Sequence, residues 1–383
     1  MRHLRPEILA LAISHYYKVC CELKTQGSYS NSQKTLFRDE LAEIGNILIK
    51  LDIVSCHPDY YRAHHVYLRN LLMPWAMALD TSNTYTLSQE MRRLMENLCT
   101  KWITDANNYA FSADDGAFAC ARYTSDWGLL LSNFELLYGV KPSCQLVMIK
   151  VPKHLHEDFL FIGSLYHEMG HFVEAYYNIA DRVCQKIITK LNNSGAEEQQ
   201  IRHCYFPIIQ RTYDGDKCKD VSKRNHYLLA QIKEYIADLF ATQYLGCHRG
   251  NHIEYVMADS YDKPDDEHPS PECRWAMEEA FMKDDRSNFV YADISDEFEA
   301  VGKPLTIKIV KPVDYASLDK GEPMSIQSDD ELHSLLWYGW EVYMRGSQAM
   351  EAAQGNPKDV FSRYDFYKKL NGAIKQSIGY YLK

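Results

Sequence analysis

The chain has 383 residues, of which 46% are hydrophobic and 25% charged, the balance of a folded globular protein with a sizeable core. Its formal net charge is −10, and no block rich in lysine and arginine offsets that charge, so we expect no nucleic-acid partner. The longest apolar runs fall far short of the roughly 18 residues of a membrane-spanning helix, which predicts no integral membrane segment.

Residues 1–140 predict a helical amino-terminal region. Two arginines precede a short apolar run near the start, but a serine, a histidine and two tyrosines interrupt it, which favours an amphipathic helix over a signal peptide. Leu41, Ile44 and Leu48 then recur at helical spacing. A second helical window follows, and Pro74 interrupts it.

The cysteines indicate the compartment in which the protein works. Eleven of them are scattered between Cys20 and Cys273, and none forms a CxxC pair. An odd number at such spacing is typical of reduced thiols rather than of a disulfide framework. We therefore expect a cytoplasmic protein.

A strand followed by a helix is predicted near the middle of the chain. The turn-rich stretch GVKPSC at 139–144 precedes QLVMIKVP, a β-branched run that ends in proline and predicts a short strand. From His156 to Asn178 the apolar pattern is helical. The order strand, then helix, places a strand just before the first candidate motif.

Further elements are predicted in the second half. A long helix ends before Gly246, which is a suitable C′ residue, and Ser270 with Pro271 indicates an N-cap and the first position of another helix. The run LTIKIV at 305–310 predicts a strand. Two helices are predicted in the carboxy-terminal region.

The sequence HEMGH at 167–171 is the first candidate for chemistry. On a helix, residues four apart share a face, so His167 and His171 can present two imidazoles to one metal ion. Catalytic zinc takes three protein ligands and keeps a position for water, from which Glu168 could then remove a proton. Gly170 leaves room for another segment to pack closely. The alternative is a helix that carries two histidines by coincidence.

A second pair of residues at helical spacing occurs in EYIAD at 234–238. Glu234 and Asp238 lie on one face of a later helix, so one carboxylate can ligate zinc while the other accepts the free N–H of a zinc-bound histidine. Taken alone, the pair is better explained as a charged stripe on an amphipathic helix.

In this order, HEMGH and EYIAD resemble the gluzincin metallopeptidases, in which HExxH is followed by ExxxD. The form EYIAD is similar to that of the CAAX prenyl proteases and heat-shock-induced membrane peptidases, and HPSPECR at 268–274 matches their histidine-proline with an arginine six positions after the histidine. The resemblance, which covers 144–282, implies that His268 stabilises an oxyanion and that Arg274 is a structural or electrostatic anchor. Otherwise HPSP is simply the start of a helix.

The resemblance implies an α+β fold that is mostly helical, with a zincin-like core built from an active-site helix and a small sheet. QLVMIKVP would then be either an edge strand that binds the substrate backbone or an ordinary core strand. We divide the chain into a helical amino-terminal region (1–140), a catalytic core (141–290) and a carboxy-terminal strand with a helical cap (291–383).

The predicted function is zinc-dependent hydrolysis of peptide bonds in a protein or peptide substrate, with one Zn²⁺ per chain. His167, His171 and Glu234 would hold the ion, Glu168 would act as general base on the zinc-bound water, and Asp238 would orient a ligand histidine. Because the resembled peptidases usually have transmembrane helices and this chain has none, their membrane substrates are not carried over.

Other functions are compatible with the sequence. The first is a non-catalytic, zinc-stabilised binding or sensor protein, in which Glu168 would have no use as a base. The second is a helical scaffold whose function lies in residues 1–140. An acidic protease of the cytosol would also need narrow specificity, a regulatory partner or a trigger, so we expect one or a few protein substrates.

Five more residues are weaker candidates. Tyr338 and His333, on a carboxy-terminal helix, are alternative donors to the transition state, although aromatic residues at helical spacing usually belong to a core. His154, His156 and His248 lie near the motifs but lack paired spacing. We expect these three to be solvent-facing or packing residues.

Overall fold

The structure is a computed structural model. It describes residues 6–25, 32–51, 58–68, 72–81, 88–104, 106, 109–115, 119–120, 135–140, 145–151, 155–192, 201–206, 221–248, 268–354 and 360–382. Helices account for 78% of the structure.

The chain divides into two compact units. Unit 1 comprises Met1–Ser88 and Ile103–His156, and unit 2 comprises Gln89–Trp102 and Glu157–Lys383. The boundaries predicted at 140 and 290 do not coincide with this division. One reason is that a helix from the amino-terminal region packs within unit 2, where the indole of its last residue, Trp102, donates a 2.7 Å hydrogen bond to the Tyr244 hydroxyl.

Unit 1 contains a group of helices with a shared apolar core. They are α1 (Pro6–Thr25), α2 (Ser32–Leu48), α3 (Pro58–Tyr67) and α4 (Met73–Thr81). The buried side chains of α1 recur every three or four residues, which confirms the amphipathic helix predicted there. Pro74 lies in the first turn of α4, where a proline is well tolerated, so it begins a helix rather than interrupting one.

Unit 1 also contains a three-stranded sheet of β1 (Tyr109–Asp115), β2 (Ala119–Cys120) and β3 (Gln145–Val151) in the order β1-β3-β2. β3 pairs in parallel with β1 along its whole length and antiparallel with β2 at its end. The strand predicted from QLVMIKVP is therefore confirmed, and it lies between two other strands rather than at the edge of the described sheet.

Every regular secondary-structure element described in unit 2 is a helix. The α-helices are α5 (Gln89–Trp102), α6 (Gly163–Tyr177), α7 (Ile179–Asn192), α8 (Val221–Leu245), α9 (Pro271–Lys283), α10 (Phe289–Ala300), α11 (Ala316–Asp319), α12 (Asp329–Gln354) and α13 (Val360–Tyr381). A short 3-10 helix (Leu160–Ile162) and a π-helix (Ile201–Tyr205) complete them. HEMGH lies on α6 and EYIAD on α8.

The predicted α+β fold class is wrong. The protein is predominantly helical, and the small sheet predicted beside the HEMGH helix belongs to unit 1, whereas that helix belongs to unit 2. The strand predicted at 305–310 is also absent. Its backbone finds partners on helices instead: the Lys308 N–H donates to the Gln243 carbonyl at 2.7 Å, and the Val310 N–H donates to the Ser334 hydroxyl at 2.7 Å. Because these backbone N–H groups already have hydrogen-bond acceptors, the segment needs no neighbouring strand.

Two predicted helix ends are confirmed in unit 2. Gly246 follows α8 with a φ of 52°, and its N–H donates to the Thr242 carbonyl at 2.8 Å. The Ser270 hydroxyl caps α9 by accepting from the Cys273 N–H, and Pro271 occupies the first turn.

Among the helices that the structure describes, none has both the length and the apolar composition needed to cross a membrane.

Candidate metal centre

The two helices that carry the first two motifs pack closely at a glycine. A Cβ atom built on Gly170 of α6 would lie 2.7 Å from the Ala237 Cα and 2.9 Å from the Phe240 Cβ of α8. Only a residue without a side chain lets the two backbones approach this far. The room predicted beside Gly170 is therefore filled by the EYIAD helix, which places Glu234 opposite the two histidines of HEMGH.

His167, His171 and Glu234 form a compact group of possible metal ligands. The His167 Nε2 lies 3.4 Å from one carboxylate oxygen of Glu234, and the His171 Nε2 lies 3.2 Å from the other. One ligand atom from each of the three residues lies within 4.8 Å of the others. All three side chains are at least three-quarters buried, so the group is enclosed within the helices of unit 2.

The geometry and chemistry of this group fit a zinc ion. A tetrahedral ion with bonds of about 2.0–2.1 Å separates its ligand atoms by about 3.3–3.4 Å. The His167 and His171 Nε2 atoms lie 3.4 and 3.2 Å from different oxygens of Glu234, and one ligand atom of each residue lies within 4.8 Å of the others, so small side-chain shifts would bring the three to one ion. Two imidazoles with one carboxylate are also a donor set of catalytic zinc sites, in which the fourth position is left to water.

Asp238 fixes the orientation of His167. Its Oδ1 atom lies 2.9 Å from the His167 Nδ1, so the ring donates its Nδ1–H to this fully buried carboxylate. The Nε2 atom of His167 then faces Glu234, so it is the nitrogen that would bind a metal ion. Such a carboxylate partner sets the tautomer of a ligand histidine and makes it a stronger ligand.

Arg274 holds both carboxylates of EYIAD. Its Nε donates to the Asp238 Oδ2 at 2.5 Å and its Nη2 to the Oδ1 at 2.6 Å, a two-point contact in which both partners are buried. The same Nη2 lies 3.5 Å from the Glu234 Oε2. The guanidinium thus balances the charge of Asp238 and stands behind the proposed metal ligand Glu234.

The electrostatics of the group favour a positive charge among its ligands. Burial opposes ionisation of Glu234, but the charge of His171 and hydrogen bonds from His167 and His171 outweigh it and hold the pKa of that carboxyl well below its usual range. Burial likewise opposes protonation of His171, yet Glu234, Glu168 and Glu174 together raise its pKa to about 9. A bound cation would supply the charge that a proton otherwise provides.

Glu168 and His268 lie around this group. Glu168 is half-buried, and its charge is close enough to His171 to help raise the pKa of that imidazole. The His268 Nε2 lies 3.9 Å from the Glu234 Oε1, and its side chain is 41% exposed. It therefore stands at the solvent side of the group, so residues from all three motifs meet at one place.

Glu174 lies outside the HEMGH motif, but its charge also acts on His171. It is buried, its Oε1 accepts from the Ala180 N–H at 3.3 Å, and burial raises the pKa of its carboxyl. It follows His171 by three positions on α6, hence on nearly the same helix face. Extending the helical spacing of His167 and His171 by one more turn along the sequence would have predicted Glu174 on this face.

The alternative donors predicted on α12 have other partners. His333 is fully buried, with its Nδ1 2.5 Å from the Tyr166 hydroxyl and its Nε2 3.0 Å from the Asn97 Oδ1. Tyr338 is buried and packs edge-on against Trp337. Since both nitrogens of His333 are already used within the core, that imidazole is not available to a substrate.

His156 and His248 make their contacts outside the HEMGH group. His156 is buried and its Nε2 hydrogen-bonds the Val151 carbonyl at 2.9 Å. His248 is buried as well, and its Nε2 lies 2.7 Å from the Glu341 Oε1. His154 lies outside the described residues.

Compared with known proteins, the chain matches no protein-family model, and neither characterised proteins nor solved structures include a significant counterpart to it.

Proposed function

We propose that the protein is a zinc-dependent metallopeptidase of gluzincin type that hydrolyses peptide bonds of a protein substrate. The observation that carries this proposal is the convergence of His167, His171 and Glu234, two imidazoles and a carboxylate whose ligand atoms lie within 4.8 Å of one another. The pair formed by Asp238 and Arg274 supports it, because a carboxylate behind a ligand histidine is typical of such sites.

Zinc bound to these three residues would act as a Lewis acid toward a substrate carbonyl and lower the pKa of a water to about 7. Glu168, beside His167 on α6, would take the proton of the attacking water and later deliver it to the leaving amine. A half-buried carboxylate next to the ligands is suited to both transfers.

His268 and the two buried charges would contribute without bonding covalently to the substrate. At the solvent side of the group, the His268 imidazole would donate a hydrogen bond to the developing oxyanion. Asp238 would keep the proton of His167 on Nδ1, and Arg274 would hold Asp238 in place. These residues would fix the centre before a substrate arrives.

We further propose that the enzyme works in the cytoplasm on one or a few protein substrates, held in check by narrow specificity, a regulatory partner or a trigger. The scattered cysteines without a CxxC pair support a reducing compartment.

The proposal is tested by mapping new protein termini across the proteome of cells that express either the wild-type chain or Glu168→Gln. Removal of the base would abolish cleavage while the metal ligands stay in place. We expect termini that appear with the wild type and are missing with the variant. Identical termini in both samples, with zinc retained by both proteins, would favour the non-catalytic zinc-binding protein.

A further inference from the structure

We propose a second metal site, formed by Cys247, His248 and Glu341, that binds Zn²⁺ or another divalent ion with affinity for thiolates. One ligand atom from each of these residues lies within 4.8 Å of the others. The site is independent of the proposed peptidase function, since it shares no residue with the HEMGH group.

The end of α8 brings the first two ligands together. Gly246 takes a φ of 52°, and a Cβ there would meet the Ile309 Cδ1 at 2.9 Å, so the sharp turn after the helix requires glycine. Cys247 and His248 follow this turn directly.

Helix α12 supplies the third ligand. The Glu341 Oε1 lies 2.7 Å from the His248 Nε2, a hydrogen bond in the absence of an ion. Tetrahedral ligation would open this pair by several tenths of an ångström, to about 3.3 Å. The Glu341 side chain is 32% exposed and has room for that shift.

The three ligands lie between buried aromatic side chains, which surround His248, and solvent, to which Cys247 is exposed. His248 is buried, its ring lies nearly parallel to that of Trp340 with 15° between the planes, and the ring centroid of Trp337 lies 5.7 Å away. Cys247 is an exposed free thiol. The aromatic wall lowers the local dielectric and strengthens ligation, while the exposed thiol lets an ion enter from solvent.

The donor set selects the type of ion. A thiolate with an imidazole favours zinc and related transition metals over magnesium and calcium, which prefer oxygen ligands. Ligation would release the thiol proton to solvent and form a metal–sulfur bond of about 2.3 Å. The site would then connect the end of α8 to α12.

The two groups of ligands are too far apart along α8 to share one ion. Glu234, a ligand of the first group, precedes the last residue of the helix, Leu245, by 11 positions, or roughly 16 Å at 1.5 Å per residue. No single ion reaches both groups. The sequence predicts one zinc per chain, and the second site raises the expected content to about two.

Cobalt substitution tests this site separately from the peptidase centre. Because the HEMGH group contains no thiolate, a near-ultraviolet thiolate-to-cobalt charge-transfer band can arise only from a cysteine ligand. We expect the full-length chain loaded with Co²⁺ to show this band and Cys247→Ser to lose both the band and about one bound ion. Glu341→Gln should weaken the binding of that ion.

Two control variants make the result decisive. Cys21→Ser, which removes another exposed free thiol on α1, should leave the band unchanged. His171→Ala should lose one ion and keep the band, so failure of the first site is distinguishable from failure of the second. Absence of the band from the wild type, or its persistence in Cys247→Ser, would overturn the proposal.

Discussion

Gly170 of α6 and Ala237 of α8 lie in direct contact, so close that a Cβ on the glycine would come within 2.7 Å of the alanine Cα. Each is the fourth residue of its five-residue motif. The contact sets the distance between the two helices, and that distance decides whether the Glu234 carboxylate reaches both histidines.

Gly170→Ala is expected to destabilise the protein. The added methyl group meets backbone atoms of Ala237, which cannot rotate away, so the helices must separate at a cost of about 1–3 kcal/mol. The intrinsic helix preference of alanine returns at most about 1 kcal/mol. Chemical denaturation should show the lower stability, and isothermal titration should show weaker zinc binding.

Gly372→Ala is the matched control. Gly372 also lies within a helix, α13, but a Cβ there would meet no atom within 4 Å. The change should therefore leave zinc binding unaltered and raise the free energy of unfolding by about 0.5–1 kcal/mol. Equal effects of the two substitutions would contradict the close-contact explanation.

Asp238→Asn is expected to be strongly destabilising. It leaves the buried Arg274 guanidinium without the carboxylate that it contacts twice, which should cost about 3–5 kcal/mol. It also removes the acceptor charge behind His167, so zinc affinity should fall about 10–100-fold. Thermal unfolding of the metal-free protein and zinc titration measure the two effects separately.

An exposed ion pair provides the comparison. Glu279 and Lys283 lie one turn apart on α9 with both side chains more than 60% exposed, and such pairs contribute about 0–1 kcal/mol. Glu279→Gln should hardly change the unfolding temperature. A loss as large as that of Asp238→Asn would mean that burial does not explain the difference.

The sequence was sufficient to predict which side chains of the candidate centre lie on one helix face, because helical spacing determines which residues share a face. HEMGH supplies two candidate ligands at i and i+4, whereas EYIAD supplies one, Glu234, and at i+4 the carboxylate that contacts His167; the order of the two motifs suggested that they meet. The close contact that joins them depends on Gly170, for which the sequence indicated room but no partner. The partner, Ala237, became evident only in the folded chain.

His333 makes the stability of unit 2 depend on pH. Burial lowers the pKa of its imidazole from about 6.5 to about 3, so the folded state keeps it neutral while the unfolded chain is protonated below about pH 6.5. The unfolded state then binds more protons, and stability falls as the pH drops from about 6.5 toward 3.

Comparison with His333→Gln isolates this effect from other titrating groups. Between about pH 6 and pH 4, the free energy of unfolding of the wild type should fall by about 1.4 kcal/mol per pH unit more than that of the variant. Denaturant unfolding at several pH values gives both slopes. Parallel slopes would show that His333 does not remain neutral in the folded state.

Predictions from the sequence are wrong or missing where contacts between residues far apart in the chain determine the structure. LTIKIV at 305–310 has the β-branched composition of a strand, but its N–H groups pair with the Gln243 carbonyl and the Ser334 hydroxyl of neighbouring helices. The Cys247 group was missed for a related reason, since Glu341 follows it by more than 90 positions and no local pattern joins them.

Glu168→Gln should separate catalysis from metal binding. The variant keeps the three ligands, so its zinc content and its unfolding temperature should equal those of the wild type. Loss of the general base should lower the rate of cleavage about 10²–10⁴-fold on a substrate identified by terminus mapping. Full activity of the variant with zinc in place would exclude Glu168 as the base.

The most direct measurement of the central claim is the zinc content and zinc X-ray absorption spectrum of Cys247→Ser, in which the thiolate site is removed. We predict about one zinc per chain with only nitrogen and oxygen ligands at about 2.0–2.1 Å, and loss of that ion when His171→Ala is added. A chain that binds no zinc, or one whose zinc is unaffected by His171→Ala, would contradict the metal centre formed by HEMGH and EYIAD.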